Sequence, residues 1–127
     1  MRKIITAICV LLLFVPNSQA KEIKKVKATW YQCCSKKTAS GEKFDPTKCT
    51  VASRFLPFGT NIRLTNPMNG ATIDTTVNDR GPFVKGIDID VTRSCAIELG
   101  FFLSGKANLL FEILHNNGVD NGNHQTK

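Results

Sequence analysis

The sequence predicts a mainly β domain, closed or nearly closed into a small barrel, with one short helix. Short apolar–polar alternations recur between turns built of Gly, Pro and Asn, the pattern of half-buried strands. The period changes to a helical one after Thr92. Closure fits an exported chain, because open strand edges are sticky and a barrel removes them.

The export signal lies at the front. Met1-Arg2-Lys3 is basic, residues 4–15 are apolar but for Thr6, Pro16-Asn17 breaks a helix, and Ser18-Gln19-Ala20 suits a signal peptidase. The apolar run falls short of the roughly 20 residues that a membrane span needs. Residues 1–20 are therefore read as a signal peptide cut after Ala20. Cys9, the candidate for lipid attachment, sits inside the apolar run, where a cut would leave too short a signal. The expected product is a soluble exported protein, periplasmic or secreted, and not a lipoprotein or otherwise stably anchored in a membrane.

Residues 21–26 are expected to form a flexible basic leader and residues 27–115 the folded domain. Residues 26–31 are rich in β-formers. Residues 36–45 are polar and read as a loop, and 49–55 as a short buried strand. Residues 62–65 and 72–78 alternate on either side of Asn66-Pro67-Met68-Asn69-Gly70, so they predict a hairpin. Residues 87–91 make another strand, with Asp88 and Asp90 on one face and Ile87, Ile89 and Val91 on the other. Thr92 is placed to cap a helix running to Leu99, with Cys95, Ala96 and Leu99 inward and Gly100 ending it. Residues 107–114 are apolar on both faces, which predicts a fully buried last strand. Residues 116–127 have little to bury and are expected to be disordered.

The charge after cleavage favours an anionic partner. Removing Arg2 and Lys3 leaves 15 basic residues against 10 acidic, a net +5. Outside the cytoplasm that suits a wall polymer or an anionic lipid surface better than nucleic acid. Cleavage also leaves four cysteines, Cys33, Cys34, Cys49 and Cys95, an even set that predicts two disulfides. A bridge between neighbours is strained, so one of Cys33 and Cys34 is expected to join Cys49 and the other Cys95. A zinc site is disfavoured, because adjacent cysteines lack the C-x-x-C spacing and the histidines are only His115 and His124. No metal or cofactor is expected.

Two carboxylates stand out chemically. Asp79 lies in Asn78-Asp79-Arg80-Gly81-Pro82, at a strand end where Gly81 and Pro82 shape the turn. A carboxylate fixed there beside an arginine suits acid/base work; its plainer role is to satisfy turn amides or pair with Arg80. Glu42 follows Gly41 in the polar loop, either as a second site carboxylate or as a solvated side chain. Trp30 and Tyr31 either stack on a sugar face or line the core.

Together these motifs resemble the barrel domain of the rare lipoprotein A family of bacterial lytic transglycosylases. The likeness rests on Ala28-Thr29-Trp30-Tyr31 with Gly41-Glu42-Lys43-Phe44, on Leu56-Pro57-Phe58-Gly59-Thr60, and on Asn78-Asp79-Arg80-Gly81-Pro82-Phe83-Val84 followed by Ile89-Asp90-Val91-Thr92-Arg93. It implies a six-stranded double-psi β-barrel, as in barwin-like and expansin-like domains, with one or two short helices and a groove for a glycan. It implies a lyase that cuts the bond between N-acetylmuramic acid and N-acetylglucosamine in peptidoglycan without adding water. The product carries 1,6-anhydro-muramic ends, and the expected setting is cell-wall remodelling.

Carried across, the family's aspartate falls on Asp79 as general acid/base and its glutamate on Glu42. Asn78 and Arg80 frame the site, and Trp30, Tyr31 and Ser53 face the substrate. Ser53 departs from the pattern, since many members have a histidine there, and serine does not titrate near neutral pH. That departure sustains a second expectation, a non-catalytic expansin-like binder of wall glycan. A third is an effector or inhibitor that reuses the barrel. The expected partner is a peptidoglycan glycan strand, met by a monomer.

Overall fold

Side-chain alternation sets the strands, and the apolar half of each strand closes on a common centre. A computed structural model describes residues 21–32 and 36–115. Its elements are β1 (Ile23–Tyr31), β2 (Thr50–Ser53), β3 (Asn61–Thr65), β4 (Thr72–Asp79), β5 (Ile89–Thr92), α1 (Arg93–Glu98) and β6 (Lys106–Ile113). The six strands close in the order β1-β5-β2-β4-β3-β6. β1 runs parallel to β5 and β2 parallel to β4, while the other neighbours are antiparallel. The result is the expected six-stranded closed barrel, with one helix.

In β3, Ile62 and Leu64 are fully buried while Asn61, Arg63 and Thr65 lie outside, the two-residue period of a half-buried strand. Ala28, Val51, Val91, Leu109 and Phe111 fill the same centre from the other strands. β3 and β4 form the expected hairpin, with Ile62 opposite Thr75 and Leu64 opposite Ile73.

α1 seals one end of the barrel. Cys95, Ala96 and Leu99 are fully buried, as the spacing predicts. Gly100 stops the helix at φ 75°. Its N–H reaches Ile97 O, and Phe101 N–H reaches Ala96 O, which satisfies two of the last carbonyls. The side-chain amides of Asn66 and Asn69 both donate to Leu99 O. A side chain at Gly100 would strike the Asn69 amide.

Four expectations are corrected. Residues 23–26 are not a loose leader: they open β1, and Ile23 pairs with Glu112 of β6. β6 buries one face only, through Leu109 and Phe111, because its other face has no layer against it. Thr92 stands at the helix N-cap position without capping it, since its hydroxyl donates to Lys48 O and accepts from Thr50 N–H.

The fourth correction concerns the cysteines. Cys49 and Cys95 bond to each other, with Cα atoms 4.7 Å apart. β2 lies antiparallel beside β5, with Val51 opposite Val91. The start of β2 therefore meets the end of β5, where α1 begins. That pairing leaves neither cysteine for Cys33 or Cys34, which lie outside the described residues, as do the expected signal peptide and tail. Among the described residues no helix is long and apolar enough to cross a membrane.

Candidate active site

A break in alternation puts Asp79 where it can act. In β4, Val77 points into the core. A regular strand would return Asp79 to that same face two residues later. The β2–β4 register shifts there: Val51 faces Val77, yet Ala52 faces Asp79. One extra residue on β4 makes a bulge, and bulges re-aim side chains beside sites. Asn78 is then buried and Asp79 emerges, half-buried, on the outer wall.

Three donors converge on Asp79. Oδ1 accepts from Ala39 N–H and Arg80 N–H, each at 2.9 Å, and Oδ2 accepts from the Tyr31 hydroxyl at 3.2 Å. Ser40 N–H donates to Asn78 O, so the polar loop of residues 36–45 is tied to the end of β4. The loop holds itself through Thr38 N–H to Glu42 O and the Lys37–Lys43 bridge. This brings Glu42 to Asn78, the residue before Asp79: Asn78 Nδ2 donates to Glu42 Oε2 at 3.4 Å. Asn78 Oδ1 is buried with no hydrogen-bond partner among the described residues.

Arg80 does not neutralise Asp79. Its Nη1 donates to Ser53 O and Leu56 O, and its guanidinium stacks 3.8 Å from the centre of the Phe58 ring. Arg54 does similar work next door: it donates to Pro82 O and lies over Phe55. The two arginines thus bind the loop after β2 to the loop after β4. Gly81 carries a φ of 118° in that second loop, an angle only glycine adopts readily, and Gly81-Pro82 is cis. Phe55 and Phe83 stand largely exposed beside it.

The remaining expected residues divide. Tyr31 joins the site, but Trp30, one residue earlier on β1, faces the other way. Its indole N–H donates to Phe102 O, and its ring packs on Phe102 and the core. Ser53 does not face a substrate: it is buried, and its Oγ accepts the amides of Phe55 and Leu56.

Asp90 is the site residue that sequence reasoning passed over. It pairs with Thr29 of β1 on one side and Ala52 of β2 on the other. Ala52 also faces Asp79, so the two aspartates flank this small residue on the outer wall. Thr29 Oγ1 donates to Asp90 Oδ1 at 2.9 Å. Burial pushes the Asp90 carboxyl above its ordinary range; the Thr29 bond opposes this, and the charge of Asp79 adds to it. Alternation alone had placed Asp90 outward, but the non-local pairing around Ala52 had no local sequence signal.

Other features are separate. A depression of about 500 Å³ lies away from Asp79, lined by Lys25, Lys27, Gly86, Asp88 and Asn108 among others. Asp88 there is engaged by Lys27 N–H. Among the described residues, no group of three His, Cys, Asp or Glu converges as a metal ion would need.

Comparison with known proteins agrees with the barrel fold and places the chain in a family. The family model described as lytic transglycolase matches residues 23–111. The probable endolytic peptidoglycan transglycosylase RlpA of Nostoc sp. is 47% identical over 77 residues, covering 61% of this chain and 21% of that protein. The endolytic peptidoglycan transglycosylase RlpA of Neisseria meningitidis is 36% identical over 102 residues, 78% of this chain and 43% of that one. The chain therefore spans less than half the length of these relatives.

Among solved structures, a Streptomyces papain inhibitor superposes with a TM-score of 0.61 at 19% identity, over 74% of this chain and 96% of that one. An expansin of Clavibacter michiganensis, in complex with cellohexaose, gives 0.61 at 17% identity over 76% and 52%. At such identities these likenesses speak for the double-psi barrel fold alone.

Proposed function

Because the chain belongs to the lytic transglycolase family, which the RlpA proteins share, we propose that it cleaves peptidoglycan glycan strands as a lytic transglycosylase. The observation that carries this reading is the placement of Asp79. A strand bulge turns it out of the core, three donors fix it, the neighbouring Asn78 holds Glu42, and Arg80 directs its guanidinium to Ser53 O and Leu56 O.

The chemistry needs a proton given and a proton taken. The oxygen leaving C1 of N-acetylmuramic acid must be protonated as the glycosidic bond breaks, through an oxocarbenium-like stage. The C6 hydroxyl of the same sugar then attacks C1 and loses its proton, which closes the 1,6-anhydro ring. Asp79 centres this acid/base work. Glu42, linked through Asn78, supplies a second negative charge that favours the developing cation. Tyr31 orients the Asp79 carboxylate. The exposed rings of Phe55, Phe58 and Phe83 offer apolar faces on which sugars pack. The setting is extracytoplasmic, reached with residues 1–20 as signal peptide, and the role is remodelling of the wall.

The buried Ser53 favours a second reading, a binder that holds glycan without cutting it, because it presents no titratable group to a bound glycan. One experiment separates the two. Sacculi, intact or stripped of stem peptides, are incubated with the purified protein and with Asp79→Asn. Soluble glycan released by the wild type, but not by a variant that still pulls down sacculi, supports the enzyme. Equal pull-down with no release by either leaves the binder.

A further inference from the structure

We infer that Asp79 does not carry the acid/base work alone: Asp90 gives the proton to the leaving glycosidic oxygen, and Asp79 takes one from the attacking C6 hydroxyl. This rests on the transglycosylase reading and divides its central role between two side chains.

The placement comes from the barrel. β2 sits between β4 and β5, and Ala52 faces Asp79 across one ladder and Asp90 across the other. Two strand spacings of about 4.8 Å put the two backbones roughly 10 Å apart. Both carboxyl groups are half-buried on the outer wall, with the buried Ala52 between them and the Tyr31 hydroxyl reaching across from β1 to Asp79. A sugar bond held against this stretch of wall would have one carboxyl group on either side.

The two groups are built differently. Asp79 accepts from two N–H groups and one O–H, a setting made for an acceptor. Asp90 accepts from the Thr29 hydroxyl. Around it, β1 presents Thr29 and β2 the uncharged Ala52. α1, packed on β5, turns its Arg93 onto the Phe102 ring. Asp79 is the charged group among the described residues that acts on it, and together with burial it favours the protonated form. Paired carboxyl groups whose environments push them apart divide into proton donor and proton acceptor.

The protons balance. The Asp90 proton passes to the leaving oxygen as the C1–O bond breaks, and the C6 hydroxyl proton passes to Asp79 as the new C1–O bond forms. The pair ends with one proton, as it began, moved from Asp90 to Asp79. Its return resets the site without water entering the product.

The test is the pH dependence of glycan release by wild type, Asp90→Asn and Thr29→Val. Asp90→Asn keeps shape and the Thr29 bond, so it is expected to fold and bind sacculi yet release glycan more slowly by on the order of 10²-fold or more. Thr29→Val removes the bond that favours ionised Asp90, so the alkaline limb of the rate profile should move to higher pH. A purely structural Asp90 would leave that limb in place. An active wild type with an equally active Asp90→Asn, or an unmoved limb in Thr29→Val, overturns the division of roles and leaves the transglycosylase reading intact. A wild type that releases nothing sinks that reading, and the proton-donor role with it.

Discussion

Ionising Asp90 costs the folded chain more than it costs the unfolded one, where an aspartate titrates near about 3.9. Its folded carboxyl is raised by burial and by Asp79. The stability it contributes is therefore complete below the unfolded value and lost as pH rises through the folded one. Asp90→Asn, which cannot ionise, should melt at a higher temperature than wild type at neutral pH, and the gap should close in acid. Melting curves from pH 3 to 7 read this directly. Ser53 makes a second residue-scale prediction. Its buried oxygen serves two amides, so Ser53→Ala should lower unfolding free energy by about 1–3 kcal/mol in urea titrations. Sequence reasoning divided at this scale. The Gly41-Glu42 and Asn78-Asp79-Arg80 motifs were legible, and the structure brings them together. Trp30 and Tyr31 were not separable, because strand phase is fixed by partners far along the chain.

Elements decide where those residues point. The β4 bulge is what turns Asp79 outward, and nothing in the alternation of Thr72 to Asp79 announces it. The hairpin, the helix face and the Gly100 stop were all legible, since each depends on residues a few positions apart. The extent of β1 and the one-sided burial of β6 were not, because both depend on strands pairing end to end across the molecule. The disulfide follows the same logic. Adjacency of β2 and β5 chose Cys95 for Cys49, over nearer cysteines. It closes a loop with a sequence separation of 46, so Cys49→Ala with Cys95→Ala should cost about 2–4 kcal/mol. Comparative urea unfolding checks this; an unchanged midpoint would mean the strands hold that corner unaided.

At the scale of the molecule, closure makes the site. Parallel pairing of β2 with β4 and of β1 with β5 carries Asp79, Asp90, Thr29 and Tyr31 to one stretch of outer wall. Their sequence separations run to tens of residues, so composition and local pattern could show a barrel without showing which side chains met on it. The resemblance to rare lipoprotein A supplied the motif residues, and the barrel added the neighbour between the two aspartates. The central claim is that this wall cuts glycan by internal transfer, without water. Mass spectrometry of the products from purified peptidoglycan tests it most directly. The account predicts fragments ending in 1,6-anhydro-muramic acid, one water lighter than a hydrolase would leave and resistant to borohydride, and absent with Asp79→Asn. Reducing ends, or intact glycan recovered with the folded protein bound to it, would contradict it.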